Sequence, residues 1–381
     1  MVFQMKILFI AGWFPDEKSY NGIFVKEHAL AVAKKHQVAV IYGERNWRQK
    51  ERFRFSMERE DGLLVLRFSH KWFPLLSPFN YYVEGVVEAF EKILAGGFKP
   101  DILHANIYFT GVPANRIKQK YGIPYVIAEH YSRFPRKSMR RSKVQRARIG
   151  MNNAECVMPV CNILREALVY YGIKNKFIIV PNTVNTDVFS YVPAARPEHP
   201  TKEVLCVASL RPIKGIANLI KACALTNKFR RDFNLTIIGQ GAYEREYKAL
   251  AEKLKIKNIS FSGRQDKSKI VEYMRKSDFF ILPSRWENLP CVLIEALSCG
   301  LPVLATRVGG IPEIIDESCG KLVEPDNPET LSESMRWMLN NSGDFDRKEI
   351  SARAEGRYSY DMVCEKLTSV YEEALNFHGK E

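Results

Sequence analysis

One stretch, 279–315, narrows the fold more than any other: FFILPSRWENLPCVLIEALSCGLPVLATRVGGIPEII. Its first four residues carry no polar side chain, and so short an apolar run reads as a strand buried on both faces, as the strands of parallel sheets are. Pro283-Ser284 closes the run. Asn288 is placed to cap, and Pro290 to start, a helix reaching about Ser298, where Cys299-Gly300 ends it. Residues 301–305 form the next strand, and Gly309-Gly310 with Pro312-Glu313 repeats the step from loop to helix. Two buried strands in succession with a helix between them require a crossover and a parallel sheet covered on both faces.

The loop between such a strand and its helix is also where chemistry can be placed. A helix N-terminus offers N–H groups and a positive dipole, a seat for phosphate. Glu287 lies ahead of the helix and Glu295 within it, with seven residues between them. A carboxylate in mid-helix can take both hydroxyls of a ribose, as acidic residues do in dinucleotide folds. One in the loop can hold hydroxyls beyond the phosphates. A phosphate seat flanked by two such carboxylates suits a sugar nucleotide; taken singly, the two are a solvated loop acid and a helix-surface acid.

The rest of the chain repeats the alternation. Residues 5–42 read strand, loop, helix, strand, with Gly22 directly before the helix, where a glycine lets backbone approach a ligand. Residues 52–69 form a hairpin turning at Asp61-Gly62. The apolar, proline-broken loop 72–79 is either core or a surface that touches lipid. Helices are expected at 81–95, 111–121 and 161–171, and strands at 101–105, 124–128, 156–160 and 177–180. His130 follows the strand 124–128, at the carboxyl end where open α/β sheets hold ligands. The Pro-rich segment 191–200 reads as a linker. Beyond it come strand 203–208, a turn holding Lys214 and a helix to about 225. Strand and turn 235–241, helix 243–254 and strand and turn 259–264 follow, and helices 328–340 and 361–376 come after the organising stretch. The fold class is α/β, with two Rossmann-like, doubly wound parallel-sheet domains at 1–190 and 191–360 and a terminal helix in 361–381.

E-x7-E, then A-L-x-C-G-L-P-V and G-G-x-P-E, resemble the retaining glycosyltransferases of family 4, which have the GT-B fold, two such domains facing a cleft. The resemblance covers nearly the whole chain and is strongest in 200–325. It implies that Glu287 contacts the donor sugar and Glu295 the ribose, with Asn288 and Leu289 in the same donor-binding loop. Pro290 departs from the family's E-G-F-G and has no N–H for a phosphate. The family's G-R-L-x-x-x-K-G matches here at Lys214, which would hold the diphosphate by charge. Ser209 stands where the family has arginine, and Arg211, two positions later, is its candidate substitute. The resemblance also places Gly22 beside the donor phosphates, Arg264 beside the base, His130 near the bond that breaks, and the last helix back on the first domain. The loop Pro181-Asn182-Thr183-Val184-Asn185 is similar to the family's P-N-G-V-D. The candidate catalytic set is His130, Lys214 and Glu287, with a UDP- or GDP-sugar as donor and no other cofactor. Lys214 and helix N-termini would stabilise the leaving diphosphate while the acceptor enters on the face being vacated. Asp344-Phe345-Asp346 has the D-x-D spacing of a metal site in another glycosyltransferase fold, but it lies in a polar loop and reads as solvated acids, implying no metal.

Composition decides among partners. The net charge of +14 leaves nucleic acid, anionic membrane and anionic small molecules open. Its densest source is 133–148, where Arg133, Arg136, Lys137, Arg140, Arg141, Lys143, Arg146 and Arg148 occur with no acid among them. Such a segment can bind anionic lipid, and the first five are the candidate acceptor or membrane contacts. A nucleic-acid binder would show an aromatic-rich basic face or a binding motif, and neither is found. A GT-B relative that hydrolyses or epimerises a sugar nucleotide is the other alternative. The expectation is a transferase acting on a glycan or lipid-linked acceptor in polysaccharide or glycoconjugate biosynthesis. No apolar run approaches the ~20 residues of a membrane span. Eight scattered cysteines show no zinc or disulfide framework. The reading is a cytoplasmic protein, peripheral on the inner face of the cell membrane where the basic segment attaches.

Overall fold

Seven strands in the order β3-β4-β2-β1-β5-β6-β7 make the sheet of the first unit, and six in the order β10-β9-β8-β11-β12-β13 that of the second. The structure is a computed structural model and describes residues 4–16, 20–46, 48–71, 78–193 and 201–378. The first unit comprises Met1–Thr183 with Tyr360–Glu381, and the second Val184–Ser359.

In the first unit β1 (Lys6–Ala11), α1 (Ile23–Ala33), β2 (Gln37–Arg45), the hairpin β3 (Phe53–Glu60) and β4 (Leu63–His70), and α2 (Pro78–Ala95) come first. Then follow β5 (Ile102–Asn106), α3 (Gly111–Tyr121), β6 (Tyr125–Glu129), α4 (Arg141–Asn152), β7 (Cys156–Pro159) and α5 (Asn162–Tyr170). All pairings are parallel except β3 with β4, whose turn holds Asp61 and Gly62 at positive φ as the sequence suggested. β5 and β6 are buried along their whole length, which is why they read as uninterrupted apolar runs.

The second unit runs β8 (Lys202–Val207), α6 (Ile216–Thr226), β9 (Phe233–Ile238), α7 (Glu244–Lys253), β10 (Ile259–Phe261) and α8 (Lys267–Lys276). It continues through β11 (Phe279–Leu282), α9 (Cys291–Ser298), β12 (Val303–Thr306), β13 (Gly320–Val323), α10 (Pro328–Asn341) and α11 (Arg347–Tyr358). Its sheet is wholly parallel. The chain then ends in α12 (Tyr360–His378), which packs Val363, Leu367, Val370, Tyr371 and Ala374 into the core of the first unit.

Several local expectations are corrected. Residues 177–180 run beside β7 through one bridge and two backbone hydrogen bonds, from Ile178 N to Val157 O and Val180 N to Pro159 O, without forming a full strand. The helix of the organising stretch starts at Cys291, with Pro290 itself at the N-cap and no side-chain cap. Asn288 is buried in the loop instead. The step after Gly309-Gly310 is a single 3-10 turn, Ile311–Glu313. Asp346 is not simply a solvated loop acid: its carboxylate accepts from Glu349 N at 3.0 Å and caps α11. All eight cysteines are free. The proposed linker beyond residue 193 and positions 72–77 of the apolar loop lie outside the described residues.

Candidate active site

In an open parallel sheet the ligand crevice opens where neighbouring strands send their connections in opposite directions. In the second unit that point lies between β8 and β11, adjacent in the sheet and remote in sequence. The loop after β8 is the 3-10 turn Pro212–Lys214, and the loop after β11 holds Glu287. The topology thus brings together the two residues singled out on separate motifs. Lys214 Nζ donates to Glu287 Oε1 at 2.5 Å. The main chain fixes this approach, since Arg285 N donates to Ile213 O at 2.8 Å.

Glu287 is only 8% exposed, and its carboxylate is held from more than one side. The Ser284 hydroxyl donates to the same Oε1 at 2.7 Å, and Thr306, at the end of β12, donates its hydroxyl to Ser284 O at 2.5 Å. Gly310 N donates to Asn288 O at 2.8 Å. Gly309, at φ 57°, presses on this loop so closely that a Cβ there would stand 1.6 Å from Glu287 O. Only glycine satisfies both the conformation and the contact. The double glycine therefore shapes the Glu287 loop by direct packing rather than by starting a helix.

The remaining predicted donor residues stand in varied settings of the second unit. Glu295 is half-buried on α9, and Leu289 is buried. Ser209 and Arg211 are exposed on the approach to Lys214, and Arg211 O accepts from Lys214 N. Arg264 is exposed just beyond β10. Two residues of the site escaped sequence reasoning. Ser284 looked like a strand terminator, and nothing in its sequence context marks a hydroxyl aimed at a carboxylate. Trp286 carries a buried indole N–H with no acceptor among the described residues, an unmet donor that interiors seldom tolerate.

The predicted residues Gly22 and His130 lie in the first unit, described by itself. Gly22 begins α1 at φ 86°, where a Cβ would stand 2.3 Å from the Trp13 carbonyl carbon. His130 follows β6, with its ring 4.2 Å from that of Phe24 between centroids and Asn182 of the Pro181-Asn182 loop as a polar neighbour. Burial, then the neighbouring His28 and His104, hold its pKa well below the usual histidine value, so the imidazole is neutral at pH 7. His28 donates from Nε2 to Pro181 O at 2.9 Å, and burial lowers its pKa to about 4. Glu129 accepts from the main-chain N–H groups of Tyr108, His130 and Tyr131 at 2.8, 2.7 and 2.6 Å. Burial pushes its pKa up to about 7 against those bonds.

The basic segment leads into α4. Arg133, Arg136, Lys137, Arg140 and Arg141 are all exposed, and none has a carboxylate partner among the described residues. Lys137 lies over the Tyr170 ring at 4.8 Å.

Two parallel-sheet α/β units, the second with a cation–carboxylate pair at its switch point, make up a GT-B fold. Family models agree: that of glycosyltransferase family 4 matches residues 22–188 and that of glycosyl transferases group 1 matches residues 192–357. The chain belongs to these group 1, family 4 glycosyltransferases.

Among relatives, an uncharacterised glycosyltransferase of Methanocaldococcus jannaschii is 28% identical over 72% of this chain and 75% of its own length. A GDP-mannose-dependent monoacylated phosphatidylinositol monomannoside mannosyltransferase of Corynebacterium glutamicum is 31% identical over 45% of this chain and 47% of its own. The amylovoran biosynthesis glycosyltransferase AmsK of Erwinia amylovora is 25% identical over 74% and 72%. Of solved structures, the sucrose-phosphate synthase of Thermosynechococcus elongatus superposes with a TM-score of 0.79 at 19% identity, covering 98% of this chain and all of that one. Anabaena HepE in complex with UDP and glucose gives 0.74 at 17%, covering 97% and 100%. Both share the fold.

Proposed function

We propose that this glycosyltransferase moves a sugar from a nucleoside-diphosphate sugar to a glycan or lipid-linked acceptor, with retention at the anomeric carbon and without a metal ion. One observation carries the reading: Lys214 bonded to Glu287 at the switch point of the second sheet. With donor bound, the diphosphate takes the Lys214 ammonium, and the Glu287 carboxylate turns to hydroxyls of the sugar. As the bond to the leaving diphosphate lengthens, its growing charge is met by Lys214, with Arg211 exposed on the same turn as a second cation. Glu295 holds the ribose. Neutral His130 can accept from, or donate to, a sugar hydroxyl. The charge chemistry at Lys214 asks for no divalent ion, and Asp346 is committed to capping α11.

UDP is bound by HepE and GDP-mannose is used by the corynebacterial enzyme, so either base is a candidate. AmsK supports a place in polysaccharide biosynthesis. Among the described residues no helix is long and apolar enough to cross a membrane. The five exposed cations of 133–141 support peripheral attachment to an anionic bilayer, at about 1 kcal/mol per cation near the surface.

The test is turnover. The full chain is incubated with a panel of UDP- and GDP-sugars, with and without membrane extract and with a chelator, following nucleotide release and the anomeric configuration of the product. Release that needs extract and survives chelation is expected. Release without any acceptor would make the protein a hydrolase, and an inverted product or loss of activity on chelation would overturn the mechanism.

A further inference from the structure

The first unit holds a set of aromatic side chains and cations that the donor chemistry does not use. From His130 and Phe24 the ring contacts continue to Trp13 (6.2 Å from Phe24), Tyr131 (5.8 Å from Trp13), Tyr108 (5.4 Å) and Phe109 (5.4 Å). A packing cluster would close over its rings, yet Phe24, Trp13, Tyr131 and Phe109 all remain partly exposed. A row of half-open rings starting at a sugar-handling histidine offers the apolar face on which pyranose rings stack.

The charges beside this row are one-sided. Arg146 is partly buried, lies over the Phe79 ring at 3.9 Å, and has no carboxylate or hydrogen-bond acceptor among the described residues. Two other half-buried cations of this unit are closed by acids: Arg67 meets Glu60 at 2.9 Å and Lys118 meets Glu155 at 2.6 Å. The charged or titratable neighbours of Arg146 are the Tyr108 phenol and Arg45, a second cation. Arg133 also faces Tyr108, and Lys143 reaches the Tyr131 hydroxyl at 3.5 Å. The acid in this environment is Glu129, fully buried and spent on three main-chain N–H groups. A desolvated guanidinium without a counter-charge is costly to keep, and its planar fork suits an oxyanion.

We infer that this face seats the acceptor, and that the acceptor is an oligosaccharide carrying an oxyanion, a carboxylate or phosphate, read by Arg146 while its sugar rings lie on the Trp13–Tyr131–Phe109 row. The inference rests on the glycosyltransferase reading and names the acceptor's chemistry. It is separate from bilayer attachment, which falls to the fully exposed cations of 133–141.

The test is calorimetric titration of the full chain with trigalacturonate, maltotriose and inorganic phosphate. Trigalacturonate should bind about tenfold or more tighter than either of the others, the gain of a charge-assisted contact to a sugar already stacked. Arg146→Gln should erase that advantage, while Arg116→Gln, an equal change in net charge at an exposed site on α3, should leave it. Trp13→Leu should weaken both sugars alike, with melting temperatures recorded for every variant. Equal affinity for the two sugars, no measurable binding of either, or an advantage that survives Arg146→Gln overturns the inference. So does phosphate alone binding as tightly as trigalacturonate, which would make the site an anion hole without a sugar platform. Titration with UDP and GDP runs separately: binding of neither sinks the donor reading whatever the acceptor result.

Discussion

The loops at the carboxyl ends of the two sheets treat charge in opposite ways. In the second unit the charges are closed on one another: Lys214 on Glu287, and Arg285 on Asp326 at 2.5 Å. In the first unit the cations of 133–141 and Arg146 have no acid partner among the described residues, and the unit's histidines His28 and His130 are kept neutral by burial. A site that pairs its own charges is poised for a ligand bringing the same groups a better match, as a diphosphate and a sugar would for Lys214 and Glu287 under the proposed function. A face with uncompensated cations suits a counter-charge from outside. On that proposal the donor side is self-contained and the acceptor side open.

Removing the donor-side cation should have the largest effect. Lys214→Ala is expected to cut kcat/KM by about two to four decades, because leaving-group charge grows towards the transition state. A modest loss confined to KM would move the diphosphate contact to Arg211. On the open side, Arg140→Glu with Arg141→Glu should lower partition onto anionic vesicles by about two decades, at roughly 1 kcal/mol per cation. Co-sedimentation reads this, and the effect should shrink as salt rises. A wild-type protein that stays in the supernatant at low salt removes the membrane role altogether.

Glu295→Gln should weaken donor binding by about tenfold or more through the loss of charge-assisted bonds to ribose. An unchanged calorimetric affinity returns Glu295 to the helix surface. Ser284→Ala sharpens the comparison further. The Ser284 hydroxyl donates to Glu287, the proposed sugar contact, so kcat should fall several-fold while UDP or GDP affinity holds. An equal loss in both would mean that the loop has collapsed.

The smallest effect is on stability against pH. The folded-state pKa of His28, and likewise that of His70, is lowered to about 4 by burial. The unfolded chain therefore binds more protons between about pH 6.5 and 4, and stability falls as pH falls through that window. Glu129, raised to about 7, works the other way: its contribution is present at low pH and lost as pH rises towards 7. Melting temperature should still drop from pH 7 to 5, and His28→Gln should reduce the drop.

Much of this was legible in the sequence because buried parallel strands leave continuous apolar runs. β5, β6, β11 and β12 are legible that way, whereas the family is legible from the motifs E-x7-E, A-L-x-C-G-L-P-V and G-G-x-P-E. The misses share a physical cause. α4 was obscured by its cations, which gave no apolar face to follow. Strand 177–180 failed because an apolar run at a sheet edge can follow its neighbour without completing a ladder. Ser284 and Trp286 act through geometry, a hydroxyl 2.7 Å from a carboxylate and an indole N–H turned inward, and a one-dimensional pattern carries neither. Asn182 belongs to a motif in the sequence; only the fold sets it beside His130.

The helix that completes the first core is synthesised after the whole of the second unit. α12 fills the first unit with Leu367 and Tyr371, and Tyr371 hydrogen-bonds His104 across 267 positions of sequence at 2.6 Å. When a ribosome has delivered residue 183, the first sheet is translated but still lacks the helix that covers part of its apolar face. The second unit, continuous from Val184 to Ser359, can close before the first does. Order of birth and order of completion are therefore reversed, and a chain released early would leave the N-terminal half open to aggregation.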